Sequence, residues 1–303
     1  MDNVCHTLVG AAFGDAGLKQ RTRYGSAALM IASNLPDLDV LVFATNVPSV
    51  AFRRGWTHGT IAQLLLPVVL TTALYVVDRL RPTRGGVGPV RVGPLLQLSY
   101  LGVLSHVSLD WLNSYGVRLL MPFDGRWFYG DVLFIVDPWL WLFLGVGVWL
   151  ARRRHRPGPA RRALVLAAVY IAAMCLTAQM ARGIVADAWR AAHGTEPSHF
   201  MVGPVPVTPL RREVIVDAGD HYVTGAFTWF PAHVAFSPTV TQKNDGDPRV
   251  TQAREAPPVR GFLVWSRFPF WAIDETAQGD SVTVSDMRFV GRGRPFLQTV
   301  HVP

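Results

Sequence analysis

Four apolar runs in this chain reach or approach the length an α-helix needs to cross a bilayer: 61–78 (IAQLLLPVVLTTALYVVD), 95–113, 132–151 and 163–181. About 20 consecutive apolar residues suffice for that crossing, and only helices or closed barrels satisfy their backbone there. Two shorter runs, 4–17 and 25–36, precede them. These predict a tight helical pair or a re-entrant element buried against the longer helices. Charged residues make up 17% of the chain and hydrophobic residues 50%. Soluble domains carry about 25% charged residues, so a purely soluble chain is excluded.

The formal net charge is +8, and Lys19 and Lys243 are the only lysines. The arginines lie between apolar runs and accompany no nucleic-acid-binding motif, which favours membrane topology over nucleic acid as the reason for the charge. Arg79, Arg81, Arg84 and Arg91 fall in 79–94, six arginines in 152–162, and Lys19, Arg21 and Arg23 in 18–24. The positive-inside tendency places all three segments in the cytoplasm. Alternating passage of the runs agrees with that without conflict. The reading is a protein of a bacterial cytoplasmic (inner) membrane. The N-terminus lacks the basic region of a signal peptide, so no cleavage is expected. Cys5 and Cys175 read as buried free thiols rather than a disulfide framework.

Beyond about 182 the pattern changes to short period-2 apolar stretches separated by Pro and Gly. REVIVDAG, DHYVTGAFTWF, RGFLVWSRF and DSVTVSDMRFV predict strands, and the polar segment 237–258 predicts a loop. The fold class expected is mainly α. A polytopic transmembrane helix bundle over 1–190, with four clear spans plus two short N-terminal helices, precedes a small β-rich extracytoplasmic domain over 200–303.

Ionisable residues in or beside apolar runs are costly there and usually functional. They are His6, Asp37, Asp39, His58, His106, Asp110 and Asp137. HVSLD sets His106 and Asp110 four residues apart, on one helical face. PDLD offers two carboxylates just after a proline, and RRGWTHG puts His58 at the start of a run. The passage of the runs brings all seven candidates to the outer membrane face. Imidazoles with carboxylates suit a divalent ion, Zn, Mn or Fe. The competing reading is a structural polar network, with Asp137 in VDPW simply ending one helix and starting the next.

Several stretches occur in a consistent order over about residues 1–150: MDNVCHTLVGAAFGDAGL, NLPDLDVL, RRGWTHG, SHVSLDWLNSYG, LMPFDGRWFYGD and IVDP. They resemble the YdjM-type membrane-bound metal-dependent hydrolases, whose ligand pattern is weakly similar to that of zinc-dependent phospholipase C. The resemblance implies an activity class, and it implies His6, Asp37, Asp39, His58, His106 and Asp110 as metal ligands. The β-rich part resembles extensions found in some members.

Six ligand-type side chains exceed the three that one catalytic zinc takes from the protein, so one or two ions are expected. One of Asp37, Asp39 or Asp137 is expected as general base rather than ligand, with Asp37 and Asp137 the candidates for the catalytic role. Arg53, Arg54, Arg118 and Arg126, on the same outer side, are candidates to hold a substrate phosphate, against a plainer role as headgroup anchors. Trp56, Trp111, Trp127, Trp139 and Trp141 suit the interfacial belt. A phosphoester of a lipid or lipid-linked molecule is the expected substrate. The competing classes are an ion or proton transporter and a metal-stabilised structural scaffold.

Overall fold

A computed structural model of the chain describes all residues except 46, 81–87, 89, 198, 277–278, 291–295 and 303. Arg81 and Arg84 of the expected basic loop lie outside the described residues. The chain forms two compact units. The first comprises Met1–Val40 and Arg54–Thr177, the second Leu41–Arg53 and Ala178–Pro303.

In the first unit, α1 (Asn3–Asp15) starts where the Asp2 side chain accepts from the backbone N–H groups of Val4 and Cys5. An aspartate N-cap supplies the acceptor that the first helical turn lacks. A short 3-10 turn, Leu18–Arg21, leads to α2 (Gly25–Ala32). A 3-10 helix, Leu35–Ala44, then follows at a bend of 50°. Pro36 disfavours α geometry at Leu35, which helps to set that break. After a single helical turn in the second unit, α3 (Ser49–Phe52), come α4 (Thr60–Leu80) and α5 (Val92–Trp111). The bundle continues with α6 (Pro138–Arg154) and α7 (Gly158–His193).

Among the described residues, α4, α5 and α7 are long and apolar enough to cross a membrane. The bent pair of α2 and the 3-10 helix makes a fourth if counted as one span. The run expected at 132–151 is helical only from Pro138, because the Asp137 carboxylate caps the helix there. Its 17 residues extend about 25 Å at 1.5 Å per residue, short of a hydrocarbon core of about 30 Å.

One close approach fixes how two helices of this unit cross. A Cβ on Gly102 would lie 2.5 Å from the Ala32 Cβ and 3.0 Å from the Ser33 nitrogen. Only glycine lets α5 cross the end of α2 this tightly.

The second unit holds two antiparallel sheets among its described residues. β1 (His199–Pro204), β2 (Arg211–Asp217), β3 (His221–Trp229) and β4 (Ala232–Gln242) pair in sequence order. One face of this sheet packs Phe200, Val202, Val214, Val216 and Phe227 against Ala181, Val185 and Trp189 of α7. The other face buries Met201, Ile215 and Tyr222 with Phe268 and Met287. Both faces of this sheet are therefore covered.

Between the sheets the expectation fails in a specific way. The segment 237–258, predicted as a loop, contains the end of β4, the helix α8 (Pro248–Arg254) and the start of α9 (Pro257–Trp265). RGFLVWSRF, predicted as a strand, lies largely in α9. Asp247 caps α8 ahead of Pro248, and Pro257 and Pro258 open α9, so these prolines start helices rather than turns. Val259, Phe262 and Trp265, buried at a spacing of three, are the helical signal that alternation masked. The remaining strands, β5 (Pro269–Thr276), β6 (Gly279–Asp286) and β7 (Leu297–Val302), form the second sheet.

Asp286 ties this sheet to its surroundings. It accepts from Ser266 Oγ at 2.7 Å, the Arg267 and Phe268 amides at 2.7 and 3.2 Å, and Arg288 Nε at 2.8 Å. Burial pushes its pKa up, but the Arg288 charge and these hydrogen bonds outweigh that and bring it down to about 2. A folded value below the unfolded one, about 3.9, gives stability that is present above pH 4 and lost as pH falls towards 2. Asp286→Asn leaves the Arg288 guanidinium buried without its counter-charge, an expected loss of about 3–5 kcal/mol. Thermal unfolding of the full chain followed by near-UV circular dichroism should show that loss at pH 7. It should also show wild type converging on the variant between about pH 4 and pH 2.

Candidate metal centre

The i, i+4 spacing of His106 and Asp110 places both on the buried face of α5, and both are fully buried. The Gly102 crossing, one turn earlier, brings the end of α2 alongside. There the Ser33 carbonyl oxygen lies 2.8 Å from His106 Nδ1. A carbonyl can only accept, so the ring carries its proton on Nδ1 and turns the Nε2 lone pair inward.

His58 reaches the same point from the turn before α4. Gly59 fits there because a Cβ would collide with the Met121 carbonyl oxygen. His58 Nδ1 is 3.0 Å from Thr57 Oγ1, and the Thr57 hydroxyl donates to Asp39 Oδ2 at 3.2 Å. The hydroxyl proton goes to the carboxylate, so the Thr57 oxygen accepts from Nδ1–H and His58 Nε2 is also left as a lone pair. Burial lowers the His58 pKa below the ordinary imidazole value, which keeps the ring neutral.

These lone pairs meet. His58 Nε2 lies 3.1 Å from His106 Nε2. Asp110 Oδ2 is 3.2 Å from His58 Nε2 and 3.6 Å from His106 Nε2. Asp37 Oδ1, carried by the 3-10 helix, is 4.0 and 3.8 Å from the same two nitrogens. All four donors lie within 4.8 Å of one another, and all four residues are buried. An ion at roughly 2.0–2.1 Å from four tetrahedral donors holds them about 3.3 Å apart, within the range observed. Two nitrogens and two oxygens of this kind fit Zn, Mn or Fe. The four residues could therefore hold one divalent ion.

The other two residues expected as ligands stand just outside this group. His6 stacks on His106 with ring centroids 3.8 Å apart, and its Nε2 is 3.2 Å from Asp110 Oδ1. Asp39 lies behind His58, accepting from Thr57 and, at 2.7 Å, from the Arg54 amide. Asp137, expected as a catalytic base, is engaged elsewhere. Its Oδ1 caps α6, and its Oδ2 accepts from Tyr170 Oη at 2.9 Å.

The four arginines have different roles. Arg54 is buried and grips Asp110 with a fork, Nε to Oδ2 at 3.1 Å and Nη2 to Oδ1 at 3.3 Å. Its Nη1 donates to Asn113 Oδ1 at 2.9 Å. Arg54 holds a left-handed backbone, φ 53°, a strain of about 1–3 kcal/mol that the surrounding bonds sustain. The amino group of Met1 also contacts Asp110 Oδ1. Arg126 is exposed and pairs with its neighbour Asp124. Arg53, in the second unit, lies over the Phe43 ring. Arg118 is buried in the first unit. Thr57, Ser33 and Asn113 escaped sequence reasoning. Thr57 precedes His58, and Asn113 follows Asp110 by three, but neither spacing marks a role without the partner.

Long apolar helices around a buried cluster of His and Asp define a membrane protein with a candidate metal centre. The YdjM inner membrane protein family matches residues 1–182, and the chain belongs to that family. A Bacillus subtilis (strain 168) protein described as uncharacterized protein YfhP is 23% identical, across all of this chain and 91% of its own length. No solved structure matches the chain.

Replacing His58 or His106 by Gln removes a donor while keeping a polar side chain of similar reach. Metal content of either purified variant, measured by mass spectrometry, should fall at least about tenfold. Asp137→Asn should retain full metal, because asparagine caps helices as well as aspartate does. Metal loss in the Asp137→Asn variant would contradict the capping role.

Proposed function

We propose that the chain is a membrane-embedded metal-dependent hydrolase that acts on a phosphoester of a lipid or lipid-linked molecule. The observation that carries this reading is the convergence of two imidazole lone pairs and two carboxylates in one buried place. When bound, the ion supplies a Lewis acid and lowers the pKa of a coordinated water.

The chain's own residues prepare that chemistry. The Ser33 carbonyl and the Thr57–Asp39 pair fix the two histidine tautomers, the kind of support that sets ligand basicity. Arg54 orients Asp110 through one hydrogen bond, Nη2 to Oδ1, and a close ion pair, Nε to Oδ2. Asp37, the group member carried on the 3-10 helix, is a candidate to receive a proton. Trp56, Trp111, Leu120 and Phe123 are exposed and close in sequence to the site residues. Exposed apolar side chains of this kind favour a substrate with an apolar part. The basic segments 18–24 and 152–162 support an extracytoplasmic orientation for the site and the β-rich unit.

A second reading has its own support, because four protein donors can fill a tetrahedral ion and leave no open position, as in structural zinc sites. The test combines metal analysis of the purified chain with turnover of phosphomonoesters, phosphodiesters and lipid esters. About one ion per chain, with phosphoester turnover that stops on chelation while the fold persists, is expected. Unfolding on chelation without turnover by the loaded protein would overturn the hydrolase reading in favour of the scaffold. Reporter fusions at the C-terminus should be active only outside the cytoplasm.

A further inference from the structure

Beside the acceptor-rich cluster lies a second group of opposite character. Asn113 is buried, and its Oδ1 already accepts from Arg54 Nη1 at 2.9 Å and from the Tyr115 amide at 2.8 Å. Two donors on that oxygen fix the amide orientation, so Nδ2 is the donor end, and it has no acceptor among the described residues. Arg118 is only 8% exposed. Its Nε is buried without an acceptor, and no carboxylate among the described residues pairs with it. Its side chain meets a sulfur, Met121 Sδ at 3.6 Å from Nη2, and the Trp127 ring, 5.5 Å away. Burial lowers its pKa from the ordinary arginine value, and no acid opposes that.

A buried donor left unmade costs about 1–3 kcal/mol, and more when charged. Two other buried guanidinium groups, Arg54 and Arg288, have carboxylate partners. The segment between the two donors is also held rigidly. Gly116 takes φ 89°, and a Cβ there would collide with the Tyr129 ring. Val117 and Phe128 exchange backbone hydrogen bonds of 3.0 and 2.9 Å. Both donors connect to the metal centre through Arg54, which bonds Asn113 by its side chain and accepts from the Arg118 amide at 2.8 Å.

We propose that Asn113 and Arg118 form an oxyanion-binding site for a phosphate group beside the candidate metal centre. A tetrahedral phosphate has oxygens enough to face these donors on one side and a cation on the other, whereas a carboxylate has two. Arginine matches phosphate with a planar fork of donors. Arg54, by contrast, is a positioning residue, committed to Asp110. That the bound phosphate is a substrate's rests on the hydrolase reading above; that the site binds phosphate does not.

The test titrates the purified full chain, in detergent and stripped with a chelator, with inorganic phosphate and separately with phosphatidate in mixed micelles. Binding is read by calorimetry and by tryptophan fluorescence. Wild type should saturate. Arg118→Gln and Asn113→Asp should each weaken binding roughly tenfold or more, Arg118→Lys should weaken it less, and exposed Arg211→Gln should leave it unchanged. Asn113→Asp keeps the shape and the accepting oxygen but loses the donor, so it reports on binding even where Arg118→Gln fails to fold. Saturation by phosphatidate well below the concentration of inorganic phosphate needed identifies a lipid headgroup; the reverse identifies free phosphate. Either result supports the site. No saturable binding of either ligand, or unchanged binding in both Arg118→Gln and Asn113→Asp, overturns it. Metal content of the same preparation, measured before the chelator is added, separates the two readings. Metal without phosphate binding sinks only this site, and phosphate binding without metal sinks only the metal-dependent reading.

Discussion

Four hydrogen-bond acceptors pointed at one another inside a protein repel unless something positive lies among them. His58 and His106 are each committed, by a partner on Nδ1, to present a lone pair at Nε2. Asp37 and Asp110 add carboxylate oxygens to the same small space. Much of the first unit can be read as the means of maintaining this arrangement. The glycine crossing sets the Ser33 carbonyl, the Gly59 turn sets His58, and Arg54 offsets part of the negative charge on Asp110. Desolvated charge of this kind is costly without compensation, and an ion supplies it directly.

Much of this was legible in the sequence, and the reason is local periodicity. The i, i+4 relation of His106 and Asp110 follows from helix geometry alone, and it holds in α5. The apolar runs at 61–78, 95–113 and 163–181 correspond to helices because their length and composition leave few alternatives. What was not legible depends on partners distant in sequence. Nothing near Asp110 announces that Arg54 will bind it, and nothing near His106 announces the carbonyl of Ser33. Asp137 gave an ambiguous signal, since a carboxylate before Pro138 suits a helix cap and a catalytic group equally well. In the second unit, the polar, proline-containing segment 237–258 suggests a loop, whereas Pro248 and Pro257 begin helices.

The arginines show how a single residue type divides by environment. Arg126 is solvated and locally paired, Arg54 is buried and paired across the fold, and the Arg118 side chain is buried beside a sulfur and a ring, with no carboxylate pair among the described residues. Positive-inside counting treats all arginines alike. Burial and partner together separate these three environments, and neither can be read from one sequence.

The hydrogen bond from the Arg54 amide to Asp39 also closes a ring of chain. The polypeptide leaves the first unit after Val40 and returns at Arg54, so this one bond clasps both ends of the excursion. Loop-closure entropy grows slowly with length; doubling such a segment costs only about 0.6 kcal/mol more. The entropic cost of closing this ring is therefore insensitive to how many residues it encloses, so long as residues 39 and 54 still meet.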